Sequence, residues 1–541
     1  MKKDLEKPDI LIIGAGASGG VAAKHLSEQG FSVVALEQGD WQSQGDYPGT
    51  KPEYSLLAAE TWSANPNARA APADYPINLD DSDGPGIELF NGVGGSTVMF
   101  AGVWVRPAPA DFYTLTMDGV GDDWPINYDD LLPFFEATDV EFGASGIGGN
   151  PAYPPGAAPP LPPLPIGATG RKAAEGMNSL GWHWWPGVNA IASKEHGDQS
   201  PCQRYGTCVS GCPAGAKGST DVTHWPAAVR AGAQLITGAR VKEITLDNNQ
   251  RASGAVYIDR DGKEKFQAAS IVILAANAIG TARILLMSKS AHFPNGLANS
   301  SGLVGRRLML HPSAAVAGIF DDEFEETGPS GQKIGSMQFY GSDASRGFVR
   351  GGYWTLYDGV GPHFNAVRRF LAEDLQTEPF WGPTFPAAMR ESARHTIMWG
   401  LVAEDLPEEH NRVTLDESLT DSDGLPAPRI VYKTADNTRK IIEWHCERMK
   451  ESLDAAGAKR SFSFLKNIPA GHLLGTARMG IDPSSSVVDP WGRSHDVPNL
   501  YVVDGSVFVT GFGVNPTSTI AAIAKRTATY IADTARNQEV S

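Results

Sequence analysis

Cysteine is scarce: four in 541 residues. That excludes a disulfide framework as the source of stability. Positive charge is also short. Lys and Arg number 45 against 62 Asp and Glu, a net charge of −17 with a pI of about 5.2. This argues against nucleic acid and against an anionic membrane surface as partners. No apolar run approaches the roughly 20 residues of a membrane-spanning helix. The opening Met1 to Asp9 has lysines but no apolar core of the kind a secretory signal carries. The expectation is a cytoplasmic protein, periplasmic only if exported with a partner. What remains is ordinary: 41% hydrophobic and 20% charged residues, in a chain long enough for more than one domain.

The stretch Ile10 to Glu37 carries the strongest pattern. Ile10-Leu11-Ile12-Ile13 reads as a buried strand. Gly14, Gly16 and Gly19 follow in G-x-G-x-x-G spacing, then a helical pattern through Val21, Ala22 and Leu26, ended by Gly30. A second strand, Phe31 to Leu36, stops at Glu37. This is a dinucleotide fingerprint in full context. Gly14 permits the tight turn, Gly16 lets backbone amides approach a pyrophosphate, and Gly19 lets helix and strand pack closely. Glu37 is placed to bond a ribose hydroxyl. The stretch does not choose between NAD and FAD.

Residues 40 to 85 lose this regularity and read either as an excursion over the cofactor or as a surface loop. Gly94-Gly95-Ser96 is a second glycine turn, suited to close approach of a ligand or to a plain turn. Pro151 to Pro165 is proline-rich and reads as an extended strap. Trp182, Trp184 and Trp185 could line a pocket or fill a core, with core favoured. Ile271 to Thr281 is a further apolar strand running into a small-residue turn and helix. From about 313 to 465 strand-like pieces alternate with loops, as in an antiparallel sheet. Near the end, His472 sits among small residues, and Asn499 to Ser506 is a strand ending in an acidic turn at Asp504. Asn515 and Pro516 then read as the cap and first residue of a helix, whose N-terminus would favour negative charge on a reduced flavin.

Three cysteines, Cys202, Cys208 and Cys212, stand in C-x5-C-x3-C spacing. They could hold an iron–sulfur cluster. Zinc would need a fourth ligand such as His183, His196 or His224. Three plain thiols are the third reading, and spacing alone slightly favours it.

Five blocks in order, DILIIGAGASGG, NGVGGST, ILAANAIGTARILL, HLLGTARMG and NLYVVDGSVFVTGFGVNPTSTIAAIA, resemble the glucose–methanol–choline (GMC) flavoprotein oxidoreductases over nearly the whole chain. The resemblance implies an α/β protein, α+β overall: a Rossmann-like FAD-binding domain with an antiparallel-sheet substrate domain. The expected division is 1–110, 220–312 and 466–541 for the FAD domain, and 111–219 and 313–465 for the substrate domain. The latter includes the proline strap 151–165 and the cysteine loop 201–213.

The same resemblance implies His472 as catalytic base and Asn515 as the second active-site group. It implies cofactor contacts from Gly14, Gly16, Ala17, Gly19, Glu37, Gly94, Gly95, Ser96, Ala276, Asp504, Asn515, Pro516 and Thr517. Oxidation of a sugar, polyol or other alcohol is the expected reaction, with the proton passing to imidazole and hydride to flavin N5. Met99 stands where some sugar-oxidising relatives have a histidine that links to flavin, so FAD is expected to be noncovalent. The cysteine pattern resembles the catalytic subunits of bacterial glucose, sorbitol and gluconate dehydrogenases. It implies a 3Fe-4S cluster on Cys202, Cys208 and Cys212, passing electrons to a cytochrome or other acceptor subunit. An H2O2-producing oxidase without a cluster is the alternative, and a non-catalytic flavin protein the remotest.

Overall fold

The structure is a computed structural model that describes residues 6–51, 74–324, 331–357, 394–464 and 470–540, with residues 382, 383, 386, 387 and 390. A five-stranded parallel sheet organises it. Ile10–Ile13 lies at the centre, flanked by Ile271–Leu274 and Val33–Glu37, with Leu500–Val502 and Gln234–Thr237 at the edges. An unbroken apolar tetrapeptide suits this place, because a central parallel strand is covered on both faces. Alternate side chains therefore enter different cores: Leu11 and Ile13 one, Ile10 and Ile12 the other. The helix Ala17–Glu28 follows, burying Val21, Ala22 and Leu26. Gly30, at φ +98°, turns the chain back toward the second strand.

A six-stranded antiparallel sheet forms the second layer, in the order Arg460–Phe464, Ser313–Ile319, Thr396–Ala403, Gly352–Tyr357, Ile334–Ser336, Trp185–Pro186. The helix Asp436–Ala455 lies against it. Ile441, Ile442, Cys446, Met449 and Leu453 recur at helical spacing and pack with Trp354 and Trp399. Trp182 and Trp184 join the same cluster, as core. Trp185 instead lines a separate cavity of about 390 Å³ beneath the proline-rich segment. Leu161 pins that segment through backbone bonds with Ala144 and Gly146.

The strand Ala252–Ile258 belongs to a separate antiparallel three-stranded sheet. One expectation needs correction. Part of the irregular region 40 to 85 is a strand, Asn78–Ser82, paired in parallel with Pro426–Tyr432. Its sequence, NLDDS, hides it: an edge strand needs only its backbone, and Asp80 and Asp81 face solvent. Residues 52–73 of that region lie outside the described residues. Among the described residues no helix is long and apolar enough to cross a membrane.

Candidate active site

One cavity of about 320 Å³ runs along the carboxyl ends of the central parallel strands. Gly14, Gly16, Ala17, Glu37, Gly95, Ser96, Ala276, Asp504, His472, Asn515, Pro516 and Thr517 all line it. The chain thus gathers at one site residues that span 500 positions of sequence. Gly19 and Gly94 stand behind the wall.

The glycines are required by contact. A Cβ on Gly14, where φ is +102°, would lie 2.4 Å from the Ala275 carbonyl oxygen, and one on Gly19 would lie 2.1 Å from the Gly14 carbonyl oxygen. A Cβ on Gly95 would lie 2.7 Å from Gly16 Cα. The two glycine turns, read separately in the sequence, therefore touch backbone to backbone. The Gly94 amide donates to the Ala15 carbonyl at 2.9 Å and secures that contact.

Glu37 is buried, and its two carboxylate oxygens accept from the Ala15 amide at 2.8 Å and the Gly39 amide at 2.9 Å. It braces the fingerprint loop as well as facing the cavity. Asp504 accepts from Thr281 Oγ1 at 2.5 Å and from the Ser506 amide and hydroxyl at 2.9 and 2.6 Å. Burial raises its carboxyl above the usual range, and these bonds oppose the shift.

At the opposite end stands a histidine pair. His472 Nδ1 is 3.2 Å from His311 Nδ1, and His472 Nε2 is 3.3 Å from Asn515 Nδ2. His311 Nε2 is 2.8 Å from the Gly511 carbonyl oxygen. A carbonyl only accepts, so His311 carries its proton on Nε2 and its lone pair on Nδ1. His472 must then carry its proton on Nδ1. The Asn515 amide group, donating to His472 Nε2, requires the same tautomer. Two independent contacts thus leave the Nε2 lone pair of His472 facing Asn515 and the cavity. Burial lowers His472 to about 4 and holds His311 well below the imidazole range, with His472 adding to the shift at His311. Both rings are neutral at neutral pH.

His311 escaped the sequence reading. A His-Pro pair after a short apolar run has no spacing signal, and the partner ring lies 161 residues away. The structure holds it at φ +48°. Asp405, fully buried, clamps the preceding Leu310 amide at 2.7 Å while accepting from Tyr432 at 2.7 Å. Asn515 also differs from expectation. The helix begins at Thr517, and the Ile520 amide bonds to the Pro516 carbonyl at 2.9 Å, so Pro516 occupies the cap position. The Asn515 side chain is released to His472, and its Oδ1 is buried with no hydrogen-bond partner.

Cys202, Cys208 and Cys212 share one small apolar cluster with Ile191 and Ala216. Among the described residues no group of three or more His, Cys, Asp or Glu side chains stands as a metal site. The Arg204 amide donates to Cys202 Sγ at 3.4 Å and the Ala216 amide to Cys212 Sγ at 3.3 Å. Burial, foremost, pushes the Cys202 thiol up to about 12. Lys217, which the sequence reading passed over, is fully buried. Its ammonium donates to the carbonyls of Cys208, Val98 and Phe100 at 2.5, 2.6 and 3.0 Å. It ties the cysteine loop to the cavity wall formed by Met99 and Phe100.

The walls fit a dinucleotide by their chemistry: glycines at the points of closest backbone approach, and helices that begin at Ala17, Asn277 and Thr517 on its lining. A parallel sheet whose carboxyl-end cavity joins glycine turns to a histidine pair beside an antiparallel layer has the build of a cofactor-dependent enzyme. The chain belongs to the GMC oxidoreductase family, whose N- and C-terminal models match residues 9–313 and 407–524. It is 38% identical to 2-methyl-1,2-propanediol dehydrogenase of Mycolicibacterium austroafricanum, over 98% of this chain and 96% of that protein. It is 28% identical to the fructose dehydrogenase large subunit of Gluconobacter japonicus, over 98% of this chain and 99% of that one. The solved structure of pyridoxine 4-oxidase from Mesorbium loti matches with a TM-score of 0.66 at 17% identity, covering 96% of this chain and 98% of that chain, and shows the same fold. The protein is an FAD-dependent oxidoreductase acting on CH–OH donors.

Proposed function

We propose that the enzyme is a dehydrogenase that oxidises an alcohol or sugar CH–OH group with His472 as general base. The observation that carries this is the tautomer lock: His311 and Asn515 each require an unprotonated His472 Nε2. The glycine turns, Ala17, Ser96, Ala276, Glu37, Asp504 and the start of the Thr517–Val540 helix would hold FAD noncovalently, and the bound flavin would supply the hydride acceptor. His472 Nε2 takes the hydroxyl proton while the C–H hydride departs. Asn515 holds the substrate oxygen beside His472, its unpartnered Oδ1 adding an acceptor at that point. Met99, Phe100, Ala101, Val103 and Tyr357 line the same cavity. This largely apolar wall favours a small alcohol or diol, in keeping with the propanediol-oxidising relative.

Anaerobic mixing with a panel of diols, polyols and aldoses, following bleaching of the oxidised flavin band, tests the reading. His472→Ala should retain FAD and lose bleaching. Unchanged bleaching in that variant overturns the assignment of the base.

Cys202, Cys208 and Cys212 we propose as ligands of a 3Fe-4S cluster serving an acceptor subunit. Support comes from their spacing, the two amide-to-sulfur bonds and the Lys217 link to the cavity wall. The relative named as a large subunit is consistent with such an assembly. Iron and labile sulfide should appear after anaerobic reconstitution and fall in Cys208→Ser, with substrate-driven bleaching intact. Protein that takes up no iron sinks the cluster and leaves dioxygen or a soluble acceptor to reoxidise the flavin.

A further inference from the structure

Behind the histidine pair lies a set of buried charged groups that the reaction as described does not use. Glu404 follows directly on the strand Thr396–Ala403 and is buried, 2% exposed. Its backbone is fixed from two sides: its amide donates to the Gly351 carbonyl at 2.9 Å, and its carbonyl accepts from Thr438 Oγ1 at 3.1 Å. Its side chain reaches Gly511, whose carbonyl receives the His311 proton. A Cβ on Gly511 would lie 2.6 Å from His311 Nε2 and 3.0 Å from Glu404 Oε1. The carboxyl and the imidazole therefore converge on the one point where a Gly511 side chain would stand, and only glycine permits it. Glu404 Oε1 has no hydrogen-bond partner.

We propose that Glu404 is a positioning residue acting through His311: its carboxylate form supplies the counter-charge for the imidazolium that His472 becomes on taking the substrate proton. The idea rests on His472 being the base. In the step itself the substrate O–H breaks, an N–H forms at His472 Nε2, and the electron pair of the C–H bond leaves with the hydride to the flavin. The buried His472 ring, bonded to His311, then holds a positive charge. A carboxylate one residue's width beyond His311 lowers the cost of that charge in a poorly screened interior.

The groups around Glu404 set when it ionises. Asp111 and Asp405 oppose ionisation, as burial does most of all, and Arg350 favours it. Asp111 is itself bonded to Tyr340 at 2.6 Å and paired with Arg350 at 3.0 Å, and Arg350 also reaches Asp118 at 2.6 Å. These place the Glu404 carboxyl at about 8. The counter-charge is thus absent in mild acid and present in mild alkali.

The test is the pH profile of anaerobic flavin reduction in the holoenzyme from pH 6 to 9. Wild-type reduction should rise through this range. Glu404→Gln, an uncharged isostere, should stay within about twofold of wild type at pH 6 and fall about tenfold below it at pH 9, with FAD content unchanged. Asp111→Asn removes a like charge and frees Arg350, so the rise should move to lower pH; it also covers the case of a Glu404 variant that does not fold. Profiles of both variants superimposable on wild type overturn the proposal. An intact profile in Glu404→Gln alongside lost bleaching in His472→Ala sinks only the role of Glu404. Persistent bleaching in His472→Ala sinks the base beneath it.

Discussion

The two ends of the cavity are built on different principles. At the nucleotide end, recognition belongs to the backbone. Gly14, Gly16, Gly19 and Gly95 matter because a side chain on Gly14, Gly19 or Gly95 would strike a neighbour, which for Gly95 is the Gly16 α-carbon. At the reactive end, recognition belongs to side chains. His311, His472 and Asn515 come from three separate segments and are useful only through the hydrogen bonds among them. Backbone recognition is local and steric, so it leaves a fixed spacing. Side-chain chemistry is assembled over long range and leaves none.

The comparison breaks most sharply at Gly14. Gly14→Ala forces a Cβ to 2.4 Å from the Ala275 oxygen at a φ of +102°. The expected outcome is complete loss of bound FAD, read as protein without flavin absorbance after refolding with excess cofactor. Retention of stoichiometric FAD would refute the steric account of this end.

Next in size is His472→Ala, the mirror case. FAD content and melting temperature should hold, while the rate of flavin reduction falls by about three orders of magnitude. The pair of variants separates binding from chemistry. If His472→Ala also lost its flavin, the two ends would not be independent.

This division explains how much could be read from the chain alone. The strand Ile10–Ile13 was legible to the residue, and the strand Ile271–Leu274 was legible as the start of an apolar run, because buried parallel strands are apolar without interruption. Both glycine turns were legible as turns. Their mutual contact was not, since nothing in either segment encodes the other. The edge strand Asn78–Ser82 was invisible because solvent covers its polar side chains. His472 and Asn515 were found through the order of family blocks, not through local chemistry. His311 was missed because its role depends on φ +48°, on Gly511 and on Asp405, none adjacent in sequence. Asn515 looked like a helix cap because Asn-Pro-Thr fits that pattern, yet its side chain serves His472 instead.

His311→Ala should have an intermediate effect. It removes the acceptor that holds His472 Nδ1–H, so the ring can adopt the other tautomer with its lone pair turned away. Flavin reduction should slow about a hundredfold. Its pH dependence carries a second signature. Burial lowers His472 to about 4, so the neutral, competent base predominates above that pH and is lost as pH falls through it. Wild-type reduction should therefore show a first acid limb well below the ordinary imidazole range, separate from the rise between pH 6 and 9 assigned to Glu404. In His311→Ala, where water can enter beside the ring, the limb should move up toward 6.5. An acid limb already near 6.5 in the wild type would show that burial does not control the base.

The smallest expected effect tests whether the nucleotide end is wholly a backbone site. Glu37 is its one charged side chain that both lines the cavity and braces the loop, each oxygen accepting a backbone amide, from Ala15 and from Gly39. Glu37→Gln keeps the shape but replaces one acceptor with an NH2 group, which must face an N–H. One charge-assisted bond is lost and the fingerprint turn loosens without a clash. FAD affinity should weaken about tenfold, measured by titrating flavin back into stripped protein, while reduction at saturating FAD stays at the wild-type rate. A fall in that rate instead would mean that strain at the glycine turn reaches the histidine pair, and that the two ends of the cavity act as one device.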